Sequence, residues 1–158
     1  MNNSPSRPPN GFLKTTVKLP QGITLSFMSQ PKPVISKFTM SLYRKAHALV
    51  FVYDLNSLAS LETLETWVKQ IDSVDSLVPR PKLRLLVGTK SDLPTQIPDD
   101  AIAAYSKTYR AHFDFKVSAL TTQGISELFN KLVADLSDPV EPHIPPPSSS
   151  VNCRCIMM

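Results

Sequence analysis

Residues 83–92 read Leu-Arg-Leu-Leu-Val-Gly-Thr-Lys-Ser-Asp, and this stretch decides the fold. Leu83–Val87 is a short, mostly apolar run that ends at Gly88, as is typical of a strand buried on both faces. Another such run, Ala48–Tyr53, reads Ala-Leu-Val-Phe-Val-Tyr. Strands of this kind occur in parallel sheets covered by helices, so the two runs predict an α/β fold.

Amphipathic segments separate the apolar runs. Ser57–Ile71 carries apolar residues at spacings of three and four, which predicts a helix. Pro98–Arg110 and Ile125–Leu136 predict two further helices, and Phe113–Val117 a third strand. The alternation of strand and helix predicts parallel β-α-β units.

The start and the end of the chain differ from its middle. Phe12–Leu19 and Ile23–Met28 flank a Pro-Gln-Gly turn signal and predict a β-hairpin. Prolines crowd both ends of the chain, where they favour extended structure. We therefore predict a disordered tail over residues 1–11, a folded domain over 12–136 and a Pro/Ser-rich flexible tail over 137–158.

Bulk composition argues against several classes of protein. The formal net charge is +4 and the basic residues are scattered, so a nucleic-acid partner is not predicted. The N-terminus lacks an apolar signal-peptide region, and Ala46–Tyr53 is far shorter than the roughly 20 residues of a membrane helix. Both cysteines, Cys153 and Cys155, lie near the C-terminus, which fits a reducing intracellular setting.

Two predicted loops leave the carboxyl ends of strands, where ligands bind in parallel sheets. In the loop Thr89–Leu93, Asp92 can accept two hydrogen bonds from the N1–H and N2–H edge of guanine, which adenine cannot offer. The aliphatic stem of Lys90 can lie across a base plane. In the loop Ser118–Leu120, the N–H of Ala119 can donate to guanine O6.

These loops carry a family resemblance. Thr89-Lys-Ser-Asp92 is similar to the N/T-K-x-D motif of small GTPases, and Ser118-Ala-Leu120 to their S-A-K/L motif. Tyr43–Asp54 resembles the Rab pattern that opens with Tyr-Tyr-Arg and a buried strand. Thr89 and Leu120 match Rho usage, but the segment between Asp92 and Phe113 is too short for the extra helix of Rho proteins. The chain is therefore identified as a Ras-superfamily small GTPase of the Rab family.

The resemblance implies a role and a setting. It implies a protein of vesicle and membrane traffic in the cytoplasm and on the cytoplasmic face of endomembranes. Its partners would be a prenyltransferase, Rab-type escort or GDI proteins, and effectors. By resemblance, the guanine-binding residues are Thr89, Lys90, Asp92, Ser118, Ala119 and Leu120.

The phosphate-binding motif of the family is absent from this sequence. None of the four glycines is followed by Lys, so there is no G-x-x-x-x-G-K-[ST] loop. Met28-Ser-Gln-Pro31 stands where a D-x-x-G box would follow the hairpin. We predict weak GTP or GDP binding, negligible hydrolysis, no catalytic residue and no metal site, with Mg²⁺ not held by this chain alone.

The fold is thus expected to be an incomplete small-GTPase fold, mostly parallel, without the phosphate-loop strand and helix. The sheet can pair its hairpin across the gap, leave an exposed edge, or borrow a strand. A truncated isoform or gene model, a diverged pseudo-GTPase and a hairpin that packs elsewhere all remain open.

The sequence ends in a C-a-a-X box, Cys155-Ile-Met-Met158. Its final Met predicts a farnesyl group on Cys155. Because one lipid gives marginal membrane affinity, Cys153 is predicted as a second anchor, prenylated or palmitoylated.

Overall fold

The computed structural model describes residues 13–18, 24–29, 41–43, 46–74, 83–137 and 152–158. Residues 41–43 are helical. The strands are β1 (Leu13–Lys18), β2 (Thr24–Ser29), β3 (Ala48–Asp54), β4 (Leu83–Thr89), β5 (Phe113–Lys116) and β6 (Asn152–Met157). The longer helices are α1 (Leu58–Val74), α2 (Asp99–Thr108) and α3 (Ile125–Ser137).

The described strands form one six-stranded sheet in the order β1-β2-β6-β3-β4-β5. Strand β1 pairs with β2 antiparallel, which confirms the predicted hairpin. Every other neighbouring pair is parallel. The prediction of an α/β fold with a mostly parallel sheet and flanking helices is confirmed.

The core lies on both faces of the sheet. Alternate residues of β3 point to opposite faces, so Leu49 and Phe51 pack in one apolar cluster and Val50 in the other. The first cluster includes the buried face of α1, and the second includes Leu132 of α3. Burial on both faces explains why β3 carries no polar residue before its last position.

Strand β6 occupies the centre of the sheet. It runs parallel to β2 on one side and to β3 on the other, with Cys155 in register with both Phe27 and Ala48. Beyond it, the N–H of Val52 donates to the carbonyl of Met158 at 2.8 Å. The chain thus fills its sheet with its own C-terminal segment, which is the borrowed-strand alternative.

The structure departs here from the flexible tail predicted for residues 137–158. Residues 152–157 are a strand because Cys155 and Ile156 bury on opposite faces, in the two apolar clusters. Their backbone also pairs with β2 and β3, whose polar groups would otherwise lack partners. Residues 138–151, the predicted tail over 1–11 and the Pro-Gln-Gly turn lie outside the described residues.

Candidate functional site

The carboxyl ends of β3 and β4 position the loop that contains Thr89–Asp92. The Thr89 hydroxyl donates to the carbonyl of Tyr53 at 2.8 Å, and the N–H of Leu55 donates to the carbonyl of Thr89 at 3.1 Å. A Cβ at Gly88 would lie 2.8 Å from both the Leu55 side chain and the Tyr53 hydroxyl. Gly88 therefore permits the close approach of the two strand ends.

An ion pair at this edge orients Lys90. Its ammonium lies 2.6 Å from Asp54 Oδ2, and the backbone of Lys90 is left-handed, with φ of 61°. The backbone N–H of Asn56 donates to the other carboxylate oxygen of Asp54 at 2.8 Å. The hydrogen bond from Lys90, and then that from Asn56, hold the pKa of Asp54 below its ordinary value. Because the Lys90 side chain is 58% exposed, its stem still offers apolar surface to a ligand.

The loop after β5 is folded around Ser118, whose side chain is fully buried. The N–H of Thr121 donates to Ser118 Oγ at 3.1 Å, and the N–H of Ser118 donates to the carbonyl of Gln123 at 3.0 Å. Thr122 and Gly124 both have positive φ, 64° and 73°. The loop is therefore compact and closed by its own hydrogen bonds.

The two loops meet through a side-chain hydrogen bond. Ser118 Oγ donates to Asp92 Oδ1 at 2.5 Å. The backbone reinforces the contact, because the N–H of Ser91 donates to the carbonyl of Val117 at 3.1 Å. Asp92 is exposed, and within the described residues its Oδ2 has no hydrogen-bond partner. One carboxylate oxygen thus fixes the loop, and the exposed carboxylate keeps lone pairs that can accept further hydrogen bonds.

Of the remaining predicted residues, one makes a contact inside the protein and two are exposed to solvent. Thr89 turns its hydroxyl toward β3, so it braces the loop. Ala119 and Leu120 are exposed at the tip of the second loop, with Leu120 83% exposed. The structure therefore joins Asp92 to Ser118 and pairs Lys90, in the same loop as Asp92, with Asp54. Ala119 and Leu120 are accessible in the second loop, and Thr89 makes a supporting contact.

Comparison with known sequences identifies the protein family in which these two loops occur. A sequence model of the Ras family matches residues 34–138, which include both loops, β3 to β5 and all three long helices. The chain belongs to the Ras family of small GTPases. Strands β1, β2 and β6 lie outside the matched residues.

Within the Ras family, the chain is Rab-like. It is 35% identical over 101 residues to Ras-related protein Rab-1C of Dictyostelium discoideum, covering 62% of this chain and 48% of that protein. It is 32% identical over 92 residues to Ras-related protein Rab-5B of Plasmodium falciparum, covering 58% and 42%. Ras-related protein Rab-24 of Dictyostelium discoideum is 29% identical over 102 residues, covering 61% and 48%. The chain spans about half the length of the curated relatives it matches.

Sequence reasoning about this Rab-like chain missed the partner of Lys90. Asp54 ends β3 in register with Thr89, so it lies beside Lys90, the residue that follows β4. Parallel pairing of β3 with β4 could be predicted from the sequence. The acidic residue at the end of β3 and the lysine just after β4 could therefore have been predicted to form an ion pair. Beside this pair, burial raises the pKa of Tyr53 to about 12, so its phenol stays neutral.

No helix within the described ranges is both long and apolar enough to cross a bilayer.

Proposed function

We propose that this chain is a Rab-like protein of intracellular vesicle traffic that recognises a guanine ring but holds the phosphates of GTP poorly. The observation that carries the proposal is the hydrogen bond from Ser118 to Asp92, which joins the two loops while the exposed carboxylate keeps acceptor sites for two further hydrogen bonds. The sequence has no phosphate-binding loop to complete the site.

The exposed carboxylate of Asp92 suits the N1–H and N2–H donors of guanine. Ser118 neutralises none of its charge, so the contact to the base is charge-assisted. The Lys90 stem would lie along one face of the ring, and the exposed Ala119 would place its N–H near guanine O6. Leu120 would cover the outer edge. These roles would make the two loops a binding site for a guanine base.

The missing loop has a definite energetic consequence. A phosphate cradle supplies several charge-assisted hydrogen bonds, each contributing about 1.5–3 kcal/mol. Without three of them, affinity for GTP falls by roughly a thousandfold or more. Hydrolysis suffers further because that chemistry depends on positioning the phosphates and neutralising their charge, with Mg²⁺ as one of the neutralising groups.

Membrane attachment completes the proposal. Cys155 would carry a prenyl group and Cys153 a second lipid, since a single chain gives only marginal binding. A prenyltransferase, escort or GDI proteins and effectors of the Rab type would then be the partners, on the cytoplasmic face of endomembranes. The domain of residues 12–136 would be completed by β6, to which a Pro/Ser-rich linker connects it.

A second candidate function is a non-enzymatic interaction module that binds trafficking partners without any nucleotide. The central position of β6 favours it, because the segment that would precede a phosphate loop in a cycling GTPase is replaced by the chain's own C-terminal strand. The alternative to a diverged interaction module is that this chain is a truncated form of a longer GTPase. Nucleotide content after native purification separates a cycling switch from both.

The base-recognition proposal is tested by comparing guanosine with inosine, which lacks only the N2 amino group. We expect the chain to bind guanosine about 10- to 100-fold tighter than inosine, the effect of one charge-assisted hydrogen bond. The substitution Asp92→Ala should reduce that ratio to about one, because the acceptor is gone. NMR titration with the nucleosides suits the weak affinities expected.

The matched control is Asp114→Ala, which removes an exposed carboxylate on β5 outside the two loops. It should leave the guanosine-to-inosine ratio unchanged. Equal binding of both nucleosides by the unsubstituted chain would refute guanine recognition through Asp92.

A further inference from the structure

The cysteine of the C-a-a-X box lies in the centre of the folded sheet. The Cys155 side chain is 0% exposed, and the residue pairs with β2 on one side and β3 on the other. It belongs to the apolar cluster that contains Val50, Leu128 and Leu132, so strands flank it and α3 packs over it. The thiol is thus part of the core.

We propose that β6 is a retractable strand that protects Cys155, so that filling the sheet and lipidating the chain exclude each other. The inference rests on the proposed attachment of a lipid to Cys155. With β6 in the sheet, the central position of the sheet is filled and Cys155 is unmodified. With β6 withdrawn, the thiol is available for modification, and the facing edges of β2 and β3 are open.

The chemistry requires withdrawal. In prenylation, the cysteine sulfur attacks C1 of an allylic prenyl diphosphate, a C–S bond forms, the C–O bond to diphosphate breaks, and the thiol proton passes to solvent. The sulfur must therefore touch both the carbon donor and the enzyme. A side chain with no exposed surface, enclosed by strands and a helix, can touch neither.

The reaction also prevents return of the strand. Protein cores are packed at the density of organic crystals, so the site that holds a thiol has no space for a prenyl chain. Lipidation would trap β6 outside the sheet. The trapped state exposes unpaired backbone groups on β2 and β3, where a further extended strand can pair.

Withdrawal is expected to be a local opening. Strand β6 pairs with β2 over six residues but is in register with β3 over only three, Cys155–Met157, whereas β3 and β4 pair over seven. The sheet formed by β3, β4 and β5, with its helices, has its own buried clusters and does not need β6 to hold its strands in register. Such a strand opens at lower free energy than the whole domain.

The test uses the full chain with Cys153→Ser, so that Cys155 is its remaining thiol. Maleimide labelling is measured in native buffer and at rising guanidinium concentrations, alongside the fluorescence of Trp67. We expect native labelling to be at least about a hundredfold slower than in the unfolded chain, yet faster than global unfolding allows. Labelling at the unfolded rate would overturn the protection, and labelling that follows only the Trp67 transition would overturn the local opening.

A matched pair of variants provides a second test. Arg154→Pro in the Cys153→Ser chain removes an N–H from a central strand, which excludes β6 from the sheet without changing the C-a-a-X residues. Arg154→Thr removes the same charge but keeps the N–H. We expect Cys155 to label about tenfold or more faster with Pro than with Thr, and equal rates would contradict the proposal.

Incubation of these variants with a protein farnesyltransferase and farnesyl diphosphate separates this inference from the proposed function. We expect the Pro variant to be prenylated faster than the Thr variant. If the Pro variant exposes its thiol to maleimide but is not prenylated, lipid attachment at Cys155 is wrong while the retractable strand stands. The labelling of the Cys153→Ser chain needs neither the Pro nor the Thr variant and decides by itself whether β6 opens locally.

Discussion

Replacing Ile156 by Asp is expected to lower the free energy of unfolding by at least about 4 kcal/mol. Ile156 is 3% exposed and lies in the same apolar cluster as Leu49 and Tyr43. A carboxylate there would be buried in the middle of the sheet among apolar side chains. That loss is a large fraction of the roughly 5–15 kcal/mol by which domains of this size are stable, so the variant should be strongly destabilised or should expel β6.

Guanidinium denaturation followed by Trp67 fluorescence measures the effect. Trp67 is the only tryptophan in the sequence and is 4% exposed, so it reports directly on the core. The control is Ile156→Val, which removes one methylene and should cost only about 1 kcal/mol. If residues 152–158 were a flexible tail, both variants would denature at the same midpoint as the unsubstituted chain.

The second large effect is expected at Gly124→Ala, which should cost about 2–4 kcal/mol. Gly124 has φ of 73°, and a Cβ on it would lie 2.4 Å from the carbonyl oxygen of Lys116. The loop would have to move away from the end of β5. Since Ser118 is held by the carbonyl of Gln123, the movement should also disturb the contact with Asp92 and weaken guanosine binding.

The variant Gly124→Asn separates the two sources of that cost. Asn tolerates positive φ better than Ala does, but it still carries the Cβ that meets Lys116. We expect denaturation to show that Asn recovers no more than about 1 kcal/mol of the loss. Full recovery with Asn would mean that backbone conformation alone, and no steric contact, requires glycine here.

Local patterns in the sequence predicted most of the fold. The continuous apolar runs of β3 and β4 and the periodic helices each encode their own structure, and all were placed correctly to within a few residues. The hairpin was predictable because its turn signal lies between two short alternating runs. The hairpin and the helices form through contacts between residues that are close in sequence. The buried strands can be identified because their residues are almost all apolar.

The place of β6 was not predictable in the same way. Asn152–Met157 carries two cysteines, an arginine and no alternation that marks a strand, and it follows a Pro/Ser-rich stretch. It becomes a strand because the sheet has a vacant central position whose two edges need partners. That requirement belongs to the assembled sheet, so the sequence pattern suggested a borrowed strand but not which segment provides it.

The candidate site shows a similar division. Asp92 and Ser118 were predicted from their motifs, and their direct contact follows from adjacent parallel strands. The pairing of Lys90 with Asp54 belongs to neither motif, and only the parallel register of β3 with β4 indicates it. The two loops keep their arrangement without a phosphate loop because β4 pairs with both β3 and β5 and helices pack against these strands. None of these contacts requires the strand that precedes a phosphate loop.

The measurement that tests this account most directly is the ratio of affinities for guanosine and for GTP with Mg²⁺, determined on the same preparation. If the base loops bind and no group cradles the phosphates, the two dissociation constants should agree to within about tenfold. GTP binding at least about a thousandfold tighter than guanosine, at nanomolar concentrations, would contradict it, because only a working phosphate site could supply that difference.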